Sequence, residues 1–178
     1  MKDFEVIDDV ISIGYQNRIK DYMACPNYPW FYGKAITHGD QNITDPYSGF
    51  SNIIYEPTNI SQGADTLYPV LLEGLKDVKV KELMRIRAAM FIKDQNGSDT
   101  KHHIPHIDRT DDPRPYKVAI YYVIDSDGST GIFDGDDLIA EVNPKQGRML
   151  IMDGGVYHAS HSPKKYDQRI VVNYNFRI

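Results

Sequence analysis

Cysteine is nearly absent from this chain: Cys25 stands alone among 178 residues. A lone thiol cannot close an internal disulfide, so the chain suits a reducing compartment, and Cys25 reads as a small buried or half-buried apolar residue. Positive charge is scarce too. Lys and Arg number 20 against 25 Asp and Glu, a formal net charge of −5, which argues against a broad phosphate-binding face and makes nucleic acid an unexpected partner. Long apolar runs are missing: no stretch approaches the roughly 20 residues that span a bilayer. Met1-Lys2-Asp3-Phe4 lacks the charged-then-apolar run of a signal peptide. The expectation is a soluble, cytoplasmic protein with no membrane partner. Repeats, low-complexity tracts and linkers are also lacking, and a single domain over residues 1–178 is long enough to bury a core unaided.

What is present divides near residue 85. Residues 1–84 read as a helical support region. With Asp8 or Asp9 as N-cap, Val10, Ile11, Tyr15, Ile19, Tyr22 and Met23 recur at helical spacing, ending before Pro26. A second helix opens near Asp65, with Leu67, Val70, Leu71, Leu72 and Leu75 as its apolar side and Pro69 in its first turn. Between them, Tyr28-Pro29-Trp30-Phe31-Tyr32 is an aromatic cluster that reads first as packing and second as part of a substrate groove.

Residues 85–178 read as a jelly-roll core. Short β-patterned runs at 85–93, 117–124, 138–142, 148–152, 156–161 and 169–176 are separated by Asn96-Gly97, Asp127-Gly128, Asp134-Gly135, Pro144 and Pro163. Val118, Ile120, Tyr122 and Ile124 alternate with Ala119, Tyr121 and Val123, and Ile170, Val172, Tyr174 and Phe176 alternate with Val171. Strands apolar on both parities belong to a sheet covered on both faces, here by the barrel interior and the N-terminal helices. The fold class expected is mainly β with N-terminal helices, α+β.

The chemistry sits in polar residues at fixed intervals. His106-Ile107-Asp108 places an imidazole and a carboxylate two residues apart, on one face of an extended segment. His158 and His161 follow about 50 residues later, and Arg169 opens the last apolar run. Two imidazoles and one carboxylate on one side of a metal are the donor set of non-heme Fe(II) oxygenases. The planar fork of Arg169 suits the distal carboxylate of a dicarboxylate cosubstrate. His158 and His161 are three positions apart, so only one can share a face with the pair, and either could do so. His38, His102 and His103 read as solvated loop residues, and Asp134-Gly135-Asp136-Asp137 as a hairpin turn rather than a second cation site.

His106-Ile107-Asp108, Ile120-Tyr121-Tyr122, Gly155-Val156-Tyr157-His158-Ala159-Ser160 and Arg169 together resemble the Fe(II)- and 2-oxoglutarate-dependent dioxygenases. Within these, they resemble the prolyl 4-hydroxylase-like branch and its small bacterial and phage members. The resemblance covers about residues 85–178. It implies a double-stranded β-helix with supporting helices packed on one sheet. It also implies Fe(II) held by His106, Asp108 and His158, 2-oxoglutarate held by Arg169 and Tyr122, and O2 as co-reactant. His158 is preferred to His161 because its surrounding segment and its distance from Arg169 match the family. The implied activity is hydroxylation of an unactivated C–H bond, prolyl or otherwise peptidyl, with release of succinate and CO2. The partner is then a peptide, a protein or a small molecule. Val171 departs from the family's Arg-x-Ser pattern, which bears on cosubstrate affinity. The competing reading is a non-enzymatic or non-redox, cupin-like β-barrel that binds a metal or ligand.

Overall fold

The computed structural model describes residues 4–36, 47–76, 78–93 and 102–178; His38 and Asn96-Gly97 lie outside the described residues. In chain order the elements are β1 (Phe4–Ile7), α1 (Ile13–Ala24), β2 (Phe31–Gly33), β3 (Gly49–Glu56), β4 (Asn59–Ile60), α2 (Ala64–Leu75), β5 (Glu82–Ile92), β6 (Lys117–Tyr122), β7 (Thr130–Asp134), β8 (Asp137–Val142), β9 (Met149–Asp153), β10 (Tyr157–Ser160) and β11 (Gln168–Arg177). A large sheet runs β1-β9-β6-β11-β5-β3-β2, with β4 on β3, and a three-stranded sheet runs β10-β7-β8. All the pairings are antiparallel. The arrangement is mainly β and jelly-roll-like, with two helices.

The double parity of β6 and β11 explains the layering. Ala119, Tyr121, Ile170, Val172, Tyr174 and Phe176 pack under the helices with Ile19, Met23, Leu67 and Leu71. Val118, Ile120, Tyr122 and Val171 point the other way, onto Ile132 of β7 and Val142 of β8. The large sheet is therefore a middle layer, apolar on both faces. Among the described residues no helix is long and apolar enough to cross a membrane.

Several sequence expectations need correction. Helix α1 begins at Ile13 with Ser12 as N-cap, because the preceding segment is drawn away to the loop before β9. Asp8 pairs with Arg148 and Lys145, Asp9 has a positive φ of 53°, and the Val10 N–H donates to the Gly147 carbonyl. Pro69 falls in the second turn of α2. Next to it, the hydroxyls of Tyr15 and Tyr174 donate to the carbonyls of Thr66 and Leu67. Leu72 is exposed, and so is Cys25. The region expected to be helical also supplies β1 to β4, two of which form edges of the large sheet. The aromatic cluster divides: Tyr28 and Trp30 pack together at 4.6 Å between ring centres, whereas Phe31 and Tyr32 are exposed on β2. Strand β7 was not read from sequence at all, since Gly131 and flanking turn signals disguise it. Its glycine is required, because a Cβ there would lie 2.8 Å from the His102 ring. The Asp134-Gly135-Asp136-Asp137 segment is the β7–β8 hairpin, with Gly135 at φ 60°.

Burial makes neighbouring leucines of α2 unequal. Leu71 is fully buried in the helix-side core and Leu72 is 41% exposed. Leu71→Ala is expected to lower stability by about 2–5 kcal/mol through lost contacts and a cavity. Leu72→Ala should stay within about 0.5 kcal/mol. Urea unfolding of both variants measures the difference.

Candidate metal centre

His106 lies outside the regular strands, yet the backbone holds it in register with β10. His106 and His158 form an isolated antiparallel bridge, each N–H donating to the other's carbonyl at 3.0 Å. Residues directly opposite in such a pair project to one side, so the rings meet with centres 4.8 Å apart. Asp108, two residues on, joins them. Its Oδ1 is 3.7 Å from the Nε2 of His106 and 3.7 Å from that of His158, and the three ligand atoms lie within 4.8 Å of one another. It is the one such cluster among the described residues.

Backbone and side-chain partners fix which atoms face inward. The Nδ1 of His106 is 3.1 Å from the Ile104 carbonyl, and that of His158 is 3.1 Å from the Val156 carbonyl. A carbonyl only accepts, so each Nδ1 carries a proton and each Nε2 is the ring nitrogen turned to Asp108. Asp108 is held through Oδ2, which accepts from the side-chain amides of Asn173 at 2.9 Å and Asn175 at 2.7 Å. Its Oδ1 is left for the cluster. Burial and the neighbouring His158 push His106 down to about 4, so it is neutral near pH 7. Burial alone would raise the Asp108 carboxyl. The electrostatic influence of neighbouring His158, Arg85 and His106, with the Asn175 hydrogen bond, outweighs it and holds the group below the usual carboxylate range. A neutral His106 and an ionised Asp108 are in the protonation states a metal ion requires.

Arg169 occupies the other end of the same pocket, which Phe91, Ile120, Ser160, Val171 and Asn173 also line. It is 1% exposed. One terminal nitrogen donates to Ser160 Oγ at 2.8 Å, the other to Thr130 Oγ1 at 2.7 Å. The guanidinium carbon is 5.0 Å from the centre of the Phe91 ring. Tyr122 donates to the same Thr130 oxygen at 2.7 Å. With two donors on its oxygen, Thr130 has its own proton left to give. Gly128 lets the chain pass close by, since a Cβ there would lie 3.1 Å from Arg169 Cδ and 2.4 Å from the His161 carbonyl. Burial lowers the pKa of Arg169 while Tyr122 opposes that shift. Among the described residues no carboxylate forms an ion pair with it, and its Nε has no partner. A buried cation satisfied only by neutral hydroxyls is costly unless an anion joins it.

The structure thus brings His106, Asp108, His158 and Arg169 to one pocket. Tyr122, expected there too, is fully buried outside the lining and is joined to Arg169 through Thr130. His161 is elsewhere: its Nδ1 is 2.6 Å from the Ser162 carbonyl and its ring meets the His102 edge. His102 and His103 are not solvated as expected. His103 is 1% exposed, stacked on Tyr47 and hydrogen-bonded to Ser162; His102 contacts Ser129 and Glu141. Four polar contributors have no role in the sequence reading: Thr130, Asn173, Asn175 and Ser160, the last quoted only as part of the His158 segment. Alternation points to three of them. Ser160 shares a parity with His158, and Asn173 and Asn175 share one with Arg169. Ser160 and Thr130 supply the hydroxyls that Val171 lacks.

No family model matches the chain, and no curated protein matches it. Solved structures do. A 2OG-Fe(II) oxygenase family oxidoreductase from Burkholderia pseudomallei superposes with a TM-score of 0.70 at 12% identity, covering 98% of this chain and 85% of that one. A prolyl hydroxylase from Trichoplax adhaerens, in complex with a hypoxia inducible factor peptide fragment, gives 0.66 at 11% identity over 99% and 84%. The non-heme alpha ketoglutarate dependent epimerase SnoN from nogalamycin biosynthesis gives 0.63 at 11% identity over 98% and 77%. At such identities the likeness is one of architecture: the chain has the fold of the 2OG-Fe(II) oxygenases, prolyl hydroxylases among them.

Proposed function

We propose that the protein is an Fe(II)- and 2-oxoglutarate-dependent dioxygenase that hydroxylates an unactivated C–H bond of a peptidyl, prolyl-type residue. The observation that carries this reading is the pairing, in one pocket, of a two-histidine, one-carboxylate cluster with a buried arginine that has no counter-anion among the described residues. A non-redox metal module needs the first and has no use for the second.

The residues fit the groups. Donor atoms bound at about 2.1 Å on adjacent corners of one metal stand roughly 3 Å apart. The observed separations, 3.7 Å from Asp108 to each histidine and within 4.8 Å for all three atoms, close to that with an inward movement of the side chains. His106, Asp108 and His158 hold the iron; Asn173 and Asn175 aim the carboxylate; the Ile104 and Val156 carbonyls fix both rings. Arg169 takes the distal carboxylate of 2-oxoglutarate, helped by Thr130 and Ser160, with Tyr122 orienting Thr130. Bound iron and 2-oxoglutarate supply the oxidation of a C–H bond by O2, with release of succinate and CO2. The chain's part is to orient both carboxyl ends and exclude water with Phe91, Ile120 and Val171. In this reading the two sheets are the walls of a double-stranded β-helix. Residues 85–178 form its core and residues 1–84 its support, as one domain. The prolyl-type substrate is supported by the prolyl hydroxylase among the structural neighbours; the epimerase among them has the same fold and another outcome.

The test is succinate release by purified protein, assayed with and without Fe(II), 2-oxoglutarate and O2. Release that needs all three is expected; none, or release independent of iron, would overturn the reading. The carboxylate end has its own prediction. Arg169→Lys keeps the charge and loses the fork, so 2-oxoglutarate affinity should fall by about 1.5–3 kcal/mol, the range for a hydrogen bond to a charged group. Tyr122→Phe, acting through Thr130, should cost about 1 kcal/mol. Anaerobic binding titrations measure both.

A further inference from the structure

Strand β5 presents two further cations to the pocket side. Arg85, Arg87, Ala89 and Phe91 alternate along it, an inward face on which charge is unusual. Arg85 lies 3.8 Å from Asp108 Oδ1. Arg87 lines the pocket with His106, Asp108 and Asn173, and its one hydrogen bond among the described residues runs from Nη2 to the Ile36 carbonyl at 2.7 Å. No carboxylate of the described residues pairs with it. Its neighbourhood is positive: Arg85 repels it, and Asp108 is the acidic group that attracts it.

Its place on the strand separates it from the cosubstrate end. Phe91 is paired with Arg169 and Arg87 with Asn173; four residues of strand put the two positions roughly 13 Å apart along β5. Between them this face carries only Ala89, whose small side chain also lines the pocket. Charge points the same way. With iron and 2-oxoglutarate bound, the two charges of the metal offset the two of the cosubstrate, and Asp108 offsets one arginine. Two guanidinium charges remain, and an incoming anion would be drawn to them.

We propose that Arg87 is a substrate-binding residue that receives a carboxylate of the primary substrate, next to the metal and away from Arg169. This rests on the reading of the pocket as an Fe(II)/2-oxoglutarate site. The carboxylate is a chain terminus or an acidic side chain lying close to the carbon that reacts. Arg85, held toward Asp108, keeps the field positive without making the contact. A planar fork with free donors suits a carboxylate better than a neutral amide, so an acid should bind and its amide should not.

The test uses protein loaded with Zn(II) in place of iron, with arginine side-chain N–H signals followed by NMR. Adding 2-oxoglutarate should move the Arg169 signal and leave Arg87 largely unmoved. N-acetyl-L-proline, with a terminal carboxylate, and the α-amide of N-acetyl-L-glutamate, with a side-chain one, are then titrated beside N-acetyl-L-prolinamide. At least one acid should move the Arg87 signal while the prolinamide does not, and the acid that does so identifies the source. Arg87→Gln should weaken that acid by at least about tenfold, with 2-oxoglutarate affinity changed by less than about twofold. Acid and amide acting alike, neither acid moving Arg87, or Arg87→Gln binding the acid as the unaltered protein does would each overturn the proposal. So would a loss of 2-oxoglutarate affinity in Arg87→Gln, which would assign Arg87 to the cosubstrate. If 2-oxoglutarate fails to move Arg169, the oxygenase reading fails instead, and titration of the acids without it still reports on Arg87.

Discussion

Asp108→Ala is expected to abolish Fe(II)-dependent succinate release while the protein stays folded. The side chain is buried against two imidazoles, yet it belongs to the pocket and not to either apolar cluster. Its loss removes the one anionic donor of the set, and two neutral imidazoles alone hold Fe(II) weakly. The folding cost comes from Asn173 and Asn175, whose amides would lose their acceptor; unpaired buried donors cost about 1–3 kcal/mol. That is a tolerable fraction of a typical domain's stability. Circular dichroism and urea unfolding establish that the variant folds, and the succinate assay reads the effect. Turnover at the unaltered rate would remove Asp108 from the metal site.

The second large effect separates two histidines three residues apart. His158→Ala should lose Fe(II) binding, because its Nε2 is one of the three clustered donor atoms. His161→Ala should keep it, since that ring is turned to His102 with its Nδ1 on the Ser162 carbonyl. Strand β10 ends at Ser160, so His161 already lies beyond the alternation that aims His158 inward. Ser160, two residues from His158, points the same way and reaches Arg169. The opposite pattern in an anaerobic metal titration would mean that the strand carries the wrong face to the metal.

Residues that act through periodicity were legible in the sequence. The double parity of β6 and β11 announced a sheet covered on both sides, and both apolar clusters follow from it. The intervals among His106, Asp108, His158 and Arg169 picked out side chains that the structure gathers in one pocket. What escaped depends on cross-strand register. Thr130 matters because β7 brings it between Tyr122 and Arg169, and no local pattern marks a strand interrupted by Gly131. Strand β3 ended up beside β5 although it sits among residues whose helical signals are stronger. Asp8 looked like a helix cap because a carboxylate before a periodic run usually is one; its ion pair with Arg148, 140 positions away, decides otherwise. Arg87 shows the same limit: its spacing is that of any strand residue, and its meaning comes from the side chains across from it.

The central claim is that one pocket binds a metal and a dicarboxylate together and uses O2 on them. Anaerobic titration of Fe(II) into the protein, with and without 2-oxoglutarate, followed by admission of oxygen, tests it directly. The expected result is one iron per chain and 2-oxoglutarate that binds tightly only once iron is present, because the Arg169 and metal contacts act on one molecule. Oxygen should then convert it to succinate. Binding of 2-oxoglutarate that ignores iron, or a metal-loaded complex that yields no succinate in oxygen, would contradict it.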